Sequence, residues 1–491
     1  MAPPPWAVAP SHEQYFVLLT GANSGVGLGI GQRIIDEFLT SRSLTSHLIL
    51  IPTTRSLTKS RDTARALRSH LEETARTSSK LRARAGPDYT PQSAVDRVHV
   101  LGLQLDLCDL SSVYEAAHQL VDGEIRDPTG VIPEGVRIPR LDVALLNAGI
   151  GGWSGLDWPG VARQLWQVGI VQSATFPSFK KALPAAVLDQ RKLLGSSSST
   201  SSSSTDLKKK TGSEPPELAE VFCANVFGHY VLAHELLPLL SRASPDEVPG
   251  RVIWTSTIDA GREHLRFDDF QAARFTAPYE SSKRITDLLC LTVNLPSVAP
   301  VSAQFFATSP SANNKPIKPR FYVSQPGVVC SPLFPLNWFL FCAYWYAMLL
   351  ARWLGSPWHP VTGYLGACAS VWLALADQET LDSVHAERSK WGSSCTRSGR
   401  AVPKRTEIEG WAWEGKVESR KALEKDDTEN EDREIRSVMR KSSGRKWDAE
   451  DLTVEQLAEF EEDGRRCWAE LERLRTAWEV ALGKKDNGKA A

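Results

Sequence analysis

The run Tyr15-Phe-Val-Leu-Leu-Thr20-Gly21-Ala22-Asn23-Ser24-Gly25-Val26-Gly27-Leu28, leading into Ile30, Ile34, Ile35 and Phe38, decides the fold. Its first six residues form an apolar stretch of strand type, and the isoleucines and phenylalanine beyond the glycines recur at helical spacing, so the order is strand, glycine turn, helix. Such a turn suits a dinucleotide. Gly21, Gly25 and Gly27 let the backbone bend tightly and approach a pyrophosphate, and the helix N-terminus around Asn23, Ser24 and Leu28 offers unpaired N–H groups to the anion. The glycine string by itself is a weak signal; its place between a first strand and an amphipathic helix makes it informative.

Working outward, His47 to Thr53 reads as a second strand. After this strand a ribose 2'-hydroxyl is usually held by an acid and a 2'-phosphate by a cation. The chain offers Thr53, Thr54, Arg55, Ser56 and Lys59 and no acid, which favours NADPH over NADH; the competing reading has Arg55 and Lys59 merely solvating a helix start. Arg97 to Leu103 gives a third strand leading to Asp106, placed either at an adenine edge or as a helix cap. Leu141 to Asn147 is a fourth strand, and Asn147, Ala148 and Gly149 at its end allow close approach to a ribose. Glu217 to Leu240 reads as a long helix, in which Asn225 is a poor helix former and so a candidate for work of another kind. Gly250 to Thr257 is a fifth strand ending in hydroxyls, at the strand end where ligands bind in such sheets. Arg320 to Gln325 is a sixth, followed by a loop with Pro326, Gly327, Val328, Val329 and Ser331.

Pro278-Tyr279-Glu280-Ser281-Ser282-Lys283 opens a segment with Ile285, Leu288, Leu289 and Val293 at helical spacing. Tyr279 and Lys283 then share one helix face, and a neighbouring ammonium favours phenolate, which makes the phenol a usable proton donor near neutral pH. Taken alone the pair would be an ordinary surface contact; the glycine turn and the hydroxyl-ended strand change that reading.

At 491 residues the chain is long enough for one large domain with additions, and its net charge of -1 gives no support to nucleic-acid binding. The eight cysteines show no paired spacing and read as reduced thiols, not as disulfides or zinc ligands. No metal site is expected. Residues 1–14, rich in proline and without an apolar core, read as a disordered tail and not as a secretory signal. Residues 151–216 form an insertion whose serine-rich part, 195–212, is expected to be disordered. Its flanks carry Trp153, Trp158, Leu165, Trp166, Phe176 and Phe179, which suit a lid over a greasy pocket or simple packing.

Five motifs fall in order: Thr20-Gly-x-x-x-Gly-x-Gly27, Asn147-Ala-Gly149, Asn225, Ser256/Thr257 with Tyr279-x-x-x-Lys283, and Pro326-Gly327. The chain from about 15 to 332 therefore resembles the short-chain dehydrogenase/reductases. The Arg251-Val-Ile-Trp-Thr-Ser256 strand, the Asp268-Asp269-Phe270 spacer, the Tyr279 helix, the insertion and the greasy segment after Gly327 make it similar to the fungal 3-keto-steroid reductases of sterol C-4 demethylation. The resemblance implies an α/β fold, a Rossmann-type doubly wound parallel sheet, with a long insertion and a C-terminal helical, membrane-associated extension. It implies Tyr279 as proton donor to the carbonyl, Lys283 lowering its pKa and binding the nicotinamide ribose, a strand-end hydroxyl from Ser256 or Thr257 orienting the ketone, and Asn225 holding a relay water. It also implies an endoplasmic reticulum membrane location on the cytosolic face, or on lipid droplets, with the methyl oxidase, decarboxylase and scaffold of C-4 demethylation as partners. The gap between Thr257 and Tyr279 is long and leaves room for a further hydroxyl donor.

Leu333 to Ala351 has no charged side chain and many aromatics; nineteen residues sit at the threshold for crossing a bilayer, so residues 333–380 are assigned to helices that contact membrane or form the substrate pocket. The remainder, 381–491, reads as a polar extension with a hairpin between Lys390 and Gly415 and a final helix from Thr453, whose Leu457, Phe460, Trp468, Leu471, Leu474 and Trp478 stripe docks on the body or on a partner. The function that follows is NADPH-dependent reduction of a 3-ketosterol to the 3β-alcohol. A 3-keto sphingoid base or 17-ketosteroid substrate, or a mainly scaffolding role, are the rival readings.

Overall fold

The computed structural model describes residues 3–189, 215–244, 246–307, 316–330, 337–425 and 432–484. The serine-rich tract expected to be disordered, and Ser331, lie outside the described residues. Six predicted strands are present: β1 Gln14–Leu19, β2 His47–Thr54, a third that splits into β3 Val98–Val100 and β4 Leu103–Gln104, β5 Val143–Leu146, β8 Arg251–Thr255 and β9 Arg320–Gln325, with β6 Trp153–Leu156 and β7 Lys180–Ala182 lying outside the main sheet. The order across the main sheet is β3, β2, β1, β5, β8, β9, then β10 Lys390–Cys395 and β11 Ala401–Thr406. All neighbours are parallel except β10 and β11. The strand order reverses between β1 and β5, and in open α/β sheets the crevice at such a switch point is where ligands bind.

Strand composition explains the parallel sheet. β2 and β8 are buried along their whole length, as strands covered by helices on both faces must be. One face packs against α1 Gly25–Ser41 and α2 Leu57–Thr77 through Ile30, Ile34, Phe38 and Leu67. The other packs against α3 Leu110–Val121, α5 Gly228–Glu235 and α6 Pro278–Thr292; α4 Trp158–Thr175 belongs to the insertion.

The structure redraws three boundaries. Residues 3–14 are folded: Pro5–Val8 and Ser11–Glu13 form short 3₁₀ turns, and Trp6, only 2% exposed, packs on Phe16 and His99. One buried indole anchors a proline-rich stretch that periodicity could not flag. The predicted 333–380 segment divides. α7 Trp338–Trp353 leans on the insertion, whereas α8 Cys368–Leu375 lies under the sheet with Ala369, Val371 and Leu373 in its core. Finally, the predicted hairpin is not a satellite, because β10 pairs in parallel with β9 and extends the main sheet. The sheet thus needs residues well past 381.

α9, Val454–Ala481, begins with a capping box at Thr453 and Gln456 and docks on the body, as its apolar stripe suggested. Trp468, Leu471, Leu474 and Trp478 are fully buried, and Trp468 packs on Tyr230, Phe305 and Phe321. All eight cysteines are free thiols. Among the described residues no helix is long and apolar enough to cross a membrane.

Candidate active site

A cavity of about 730 Å³ opens above the carboxyl ends of β1, β5, β8 and β9. Its first end is built by the glycine turn. Gly21 has φ +67°, and a Cβ on Gly27 would lie 2.1 Å from the Gly21 carbonyl oxygen, so only glycine permits this approach of turn and helix. Ser24 is the N-cap of α1 yet makes no side-chain capping bond, so the first turn, whose Gly25, Val26 and Gly27 line the cavity, has amides that no capping side chain takes up. Thr20 Oγ1 accepts from the backbone N–H groups of Asn147 (2.8 Å) and Ala148 (3.0 Å), clamping the ends of β1 and β5 together. On its other side stands His229 Nε2 at 2.9 Å, in a site so buried that its pKa falls to about 3 and the ring stays neutral.

Most predicted cofactor residues meet in this cavity: Gly21, Asn23, Ser24, Gly25, Gly27, Thr54, Arg55, Asp106, Asn147, Ala148, Gly149, Pro326, Gly327, Val328 and Val329 line it. Two do not. Leu28 faces away and packs at the edge of the apolar core, and Lys59 stands exposed one turn into α2, where its backbone N–H is capped by Ser56. Arg55 is the predicted cation that reaches the cavity. The amide cradle, the bare glycine surface and a cation after β2 fit a phosphorylated dinucleotide.

The centre is formed by α6. Pro278 opens the helix, so Tyr279 and Lys283 stand on its first turns facing the cavity, with the Lys283 Nζ 5.6 Å from the Tyr279 ring centroid. The ammonium lies over the ring of the phenol and donates to the Thr255 carbonyl at 2.7 Å. Burial pulls Lys283 down to about 8, partly offset by Asp287. The expected acidification of Tyr279 is reversed in this state: burial pushes the phenol up to about 12, against the opposing charge of Lys180 and a hydrogen bond with Thr257. In a low-dielectric wall the loss of hydration outweighs the opposing charge of Lys180.

Ser256 and Thr257 now separate. The Ser256 hydroxyl, 1% exposed, points at the Lys283 carbonyl at 3.4 Å, whereas the Thr257 hydroxyl lies against the Tyr279 phenol. Asn225 sits in a π-helical stretch, Cys223–Phe227, that interrupts the predicted long helix. Its side chain grips both backbone groups of Ile150 (2.8 and 3.0 Å) and the Ser282 hydroxyl (3.0 Å), so it braces the β5 loop against α6 and does not line the cavity. The loop before Tyr279 brings Asp259 to the cavity, a carboxylate and not the hydroxyl for which the gap left room.

Several contributors were not read from sequence. Lys180 reaches the cavity from the β6–β7 ribbon of the insertion, next to Trp153, one of the aromatic flanks expected to cover a pocket. Lys390, on β10, bonds Asp287 of α6 at 2.6 Å and the Thr257 carbonyl at 2.9 Å, so the seventh parallel strand fixes the loop that carries the hydroxyl. The far end of the cavity is apolar, walled by Leu156, Val161 and Ile170 on the insertion side and Leu340, Tyr344 and Met348 of α7. Beyond this wall both helices expose large apolar side chains: Trp158 and Trp166 on α4, and Trp338, Phe339, Tyr346 and Trp353 on α7.

No family model matches the chain. It is 50% identical over 486 residues to a 3-keto-steroid reductase of Gibberella zeae, covering 98% of each chain. A 3-keto-steroid reductase of Aspergillus fumigatus is 38% identical over 483 residues, 95% of this chain and 94% of that one. Among solved structures, the Pseudomonas aeruginosa RhlG/NADP active-site complex aligns with a TM-score of 0.35 at 16% identity, over 76% of this chain and 92% of that one.

Proposed function

Because the chain belongs to the fungal 3-keto-steroid reductases, we propose that it reduces the ketone of a 3-ketosterol to the 3β-alcohol with NADPH, at the membrane where sterols lose their C-4 substituents. The observation that carries the reading is one cavity joining the glycine turn and Arg55 to Tyr279 and ending in an apolar chamber. A rigid apolar ring system with a single polar end needs such a pocket, and the relatives' names favour a sterol over the sphingoid and 17-ketosteroid alternatives.

NADPH, when bound, supplies the hydride. The chain's own residues do the rest. Tyr279 gives its phenolic proton to the carbonyl oxygen, and Thr257, beside that phenol, donates a hydrogen bond that orients the carbonyl. Lys283, held by the Thr255 carbonyl, stands behind them, ready to bind the ribose and to return a proton to the phenol. Asn225 keeps the Gly149–Ile150 turn and α6 at fixed separation, and Ser256 tethers β8 to α6. Arg55, in the cavity wall after β2, would hold the 2'-phosphate. The apolar faces of α4 and α7 rest in the endoplasmic reticulum membrane or on a lipid droplet, so that a sterol passes from lipid to pocket without crossing water; the oxidase and decarboxylase that supply the ketone work on the same surface.

Sterol analysis of cells lacking the chain tests this reading. Accumulated 3-ketosterols, cleared by the wild-type chain, are expected. A normal sterol profile, or accumulation of an unrelated ketone, would contradict it.

A further inference from the structure

The insertion does more than cover the pocket. β7 places Lys180 on the wall of the cavity that holds Tyr279. The Nζ donates to Glu280 Oε1 at 2.7 Å and to Asp259 Oδ2 at 3.3 Å. It also lies 5.4 Å from the ring centroid of Trp153, whose ring stands 4.6 Å from that of Tyr279. Trp153 Nε1 donates to the same Glu280 oxygen at 3.4 Å. All three charged side chains are largely enclosed, with exposures of 17%, 6% and 18% for Lys180, Glu280 and Asp259. Enclosed charges persist only when paired, and here the ammonium links three elements: the insertion ribbon, the loop after β8 and the first turn of α6.

Tyr279 needs a cation near it as its proton leaves, because a phenolate in an enclosed wall is poorly solvated. Lys283 is turned to the Thr255 carbonyl. The charge that most opposes burial at the phenol is that of Lys180, and Glu280 and Asp259 act against it. The two carboxylates hold Lys180 above its ordinary value despite its burial, so it stays charged throughout the neutral range.

We propose that Lys180 is a positioning residue for proton transfer from Tyr279, its ammonium held by Glu280 and Asp259 in the cavity wall where Trp153 contacts both it and the phenol ring, so that it offsets the negative charge that develops there. In this account the insertion completes the electrostatics of the acid. The proposal rests on the ketone-reductase reading given above.

The test compares the full-length wild type with Lys180→Gln, Lys180→Arg and the double variant Lys180→Gln/Glu280→Gln, using NADPH and a 3-ketosterol in detergent micelles. Lys180→Gln is expected to lower kcat about tenfold, the equivalent of one pKa unit in the acid, with NADPH affinity and the sterol KM little changed. Lys180→Arg should keep most of the rate. The double variant removes the cation together with one of the anions that oppose it, and should recover much of the loss. An unchanged kcat in Lys180→Gln overturns the proposal, as does an equal loss in Lys180→Arg or a double variant as slow as Lys180→Gln, since packing alone would then explain the effect. A wild-type chain that turns over no 3-ketosterol overturns the reductase reading beneath it, an outcome distinct from all of these.

Discussion

At the scale of single residues the site separates groups that a motif treats as equivalent. Ser256 and Thr257 are adjacent hydroxyls, yet one is spent on the Lys283 carbonyl and the other meets the phenol. Thr257→Val is therefore expected to lower kcat by about 10²-fold, whereas Ser256→Ala should cost only a few-fold, as read by steady-state NADPH oxidation. Lys283 gives a pH prediction. With its pKa held down to about 8 by burial, the free protein loses this charge as pH rises through 8, so kcat/KM for the ketone should fall there. Stability moves the opposite way. The unfolded lysine stays protonated up to its ordinary 10.5, so between the two values the unfolded chain binds more protons and the folded state gains as pH rises. Below 8 the burial penalty is present in full. Urea midpoints measured from pH 7.5 to 10 for wild type and Lys283→Met should show a rise that the variant lacks.

At the scale of elements, the fold depends on pieces far apart in sequence. α9 closes the core over α6, and Trp468 sits among Tyr230, Phe305 and Phe321. Trp468→Ala should cost about 3–5 kcal/mol in urea unfolding, because the cavity it leaves is enclosed by rings that cannot collapse. The glycine turn, the six predicted strands along the chain, the Tyr279 helix and the docking stripe of α9 were legible in the sequence because each carries a local periodicity or a required residue type. β10 was legible only as part of a hairpin. Its parallel pairing with β9 bridges more than sixty residues and leaves no local mark. The same holds for Lys180 and Lys390, which are ordinary lysines until the topology brings carboxylates to them. Trp6 was missed because a single buried indole has no period, and the π turn at Asn225 because a helix with one extra residue keeps its composition.

At the scale of the whole molecule, one cavity runs from the glycine turn to an apolar chamber whose outer wall is greasy on both sides. The exposed indoles of α4 and α7 lie on helices that pack together beside the chamber. Replacing Trp166, Trp338 and Phe339 by serine is expected to abolish flotation of the purified chain with phospholipid vesicles while leaving turnover of detergent-dispersed ketone nearly unchanged; retained flotation would place the contact elsewhere. The central claim is that Tyr279 protonates a sterol ketone beside a bound nicotinamide. Its most direct test incubates purified wild type and Tyr279→Phe with NADPH and a 3-ketosterol and resolves the sterol product. The wild type should form the 3β-alcohol with one NADPH consumed per alcohol and a marked preference over NADH, and Tyr279→Phe should retain NADPH binding but lose about 10³-fold in rate. Equal product from the Tyr279→Phe variant, or none from the wild type, would contradict the account.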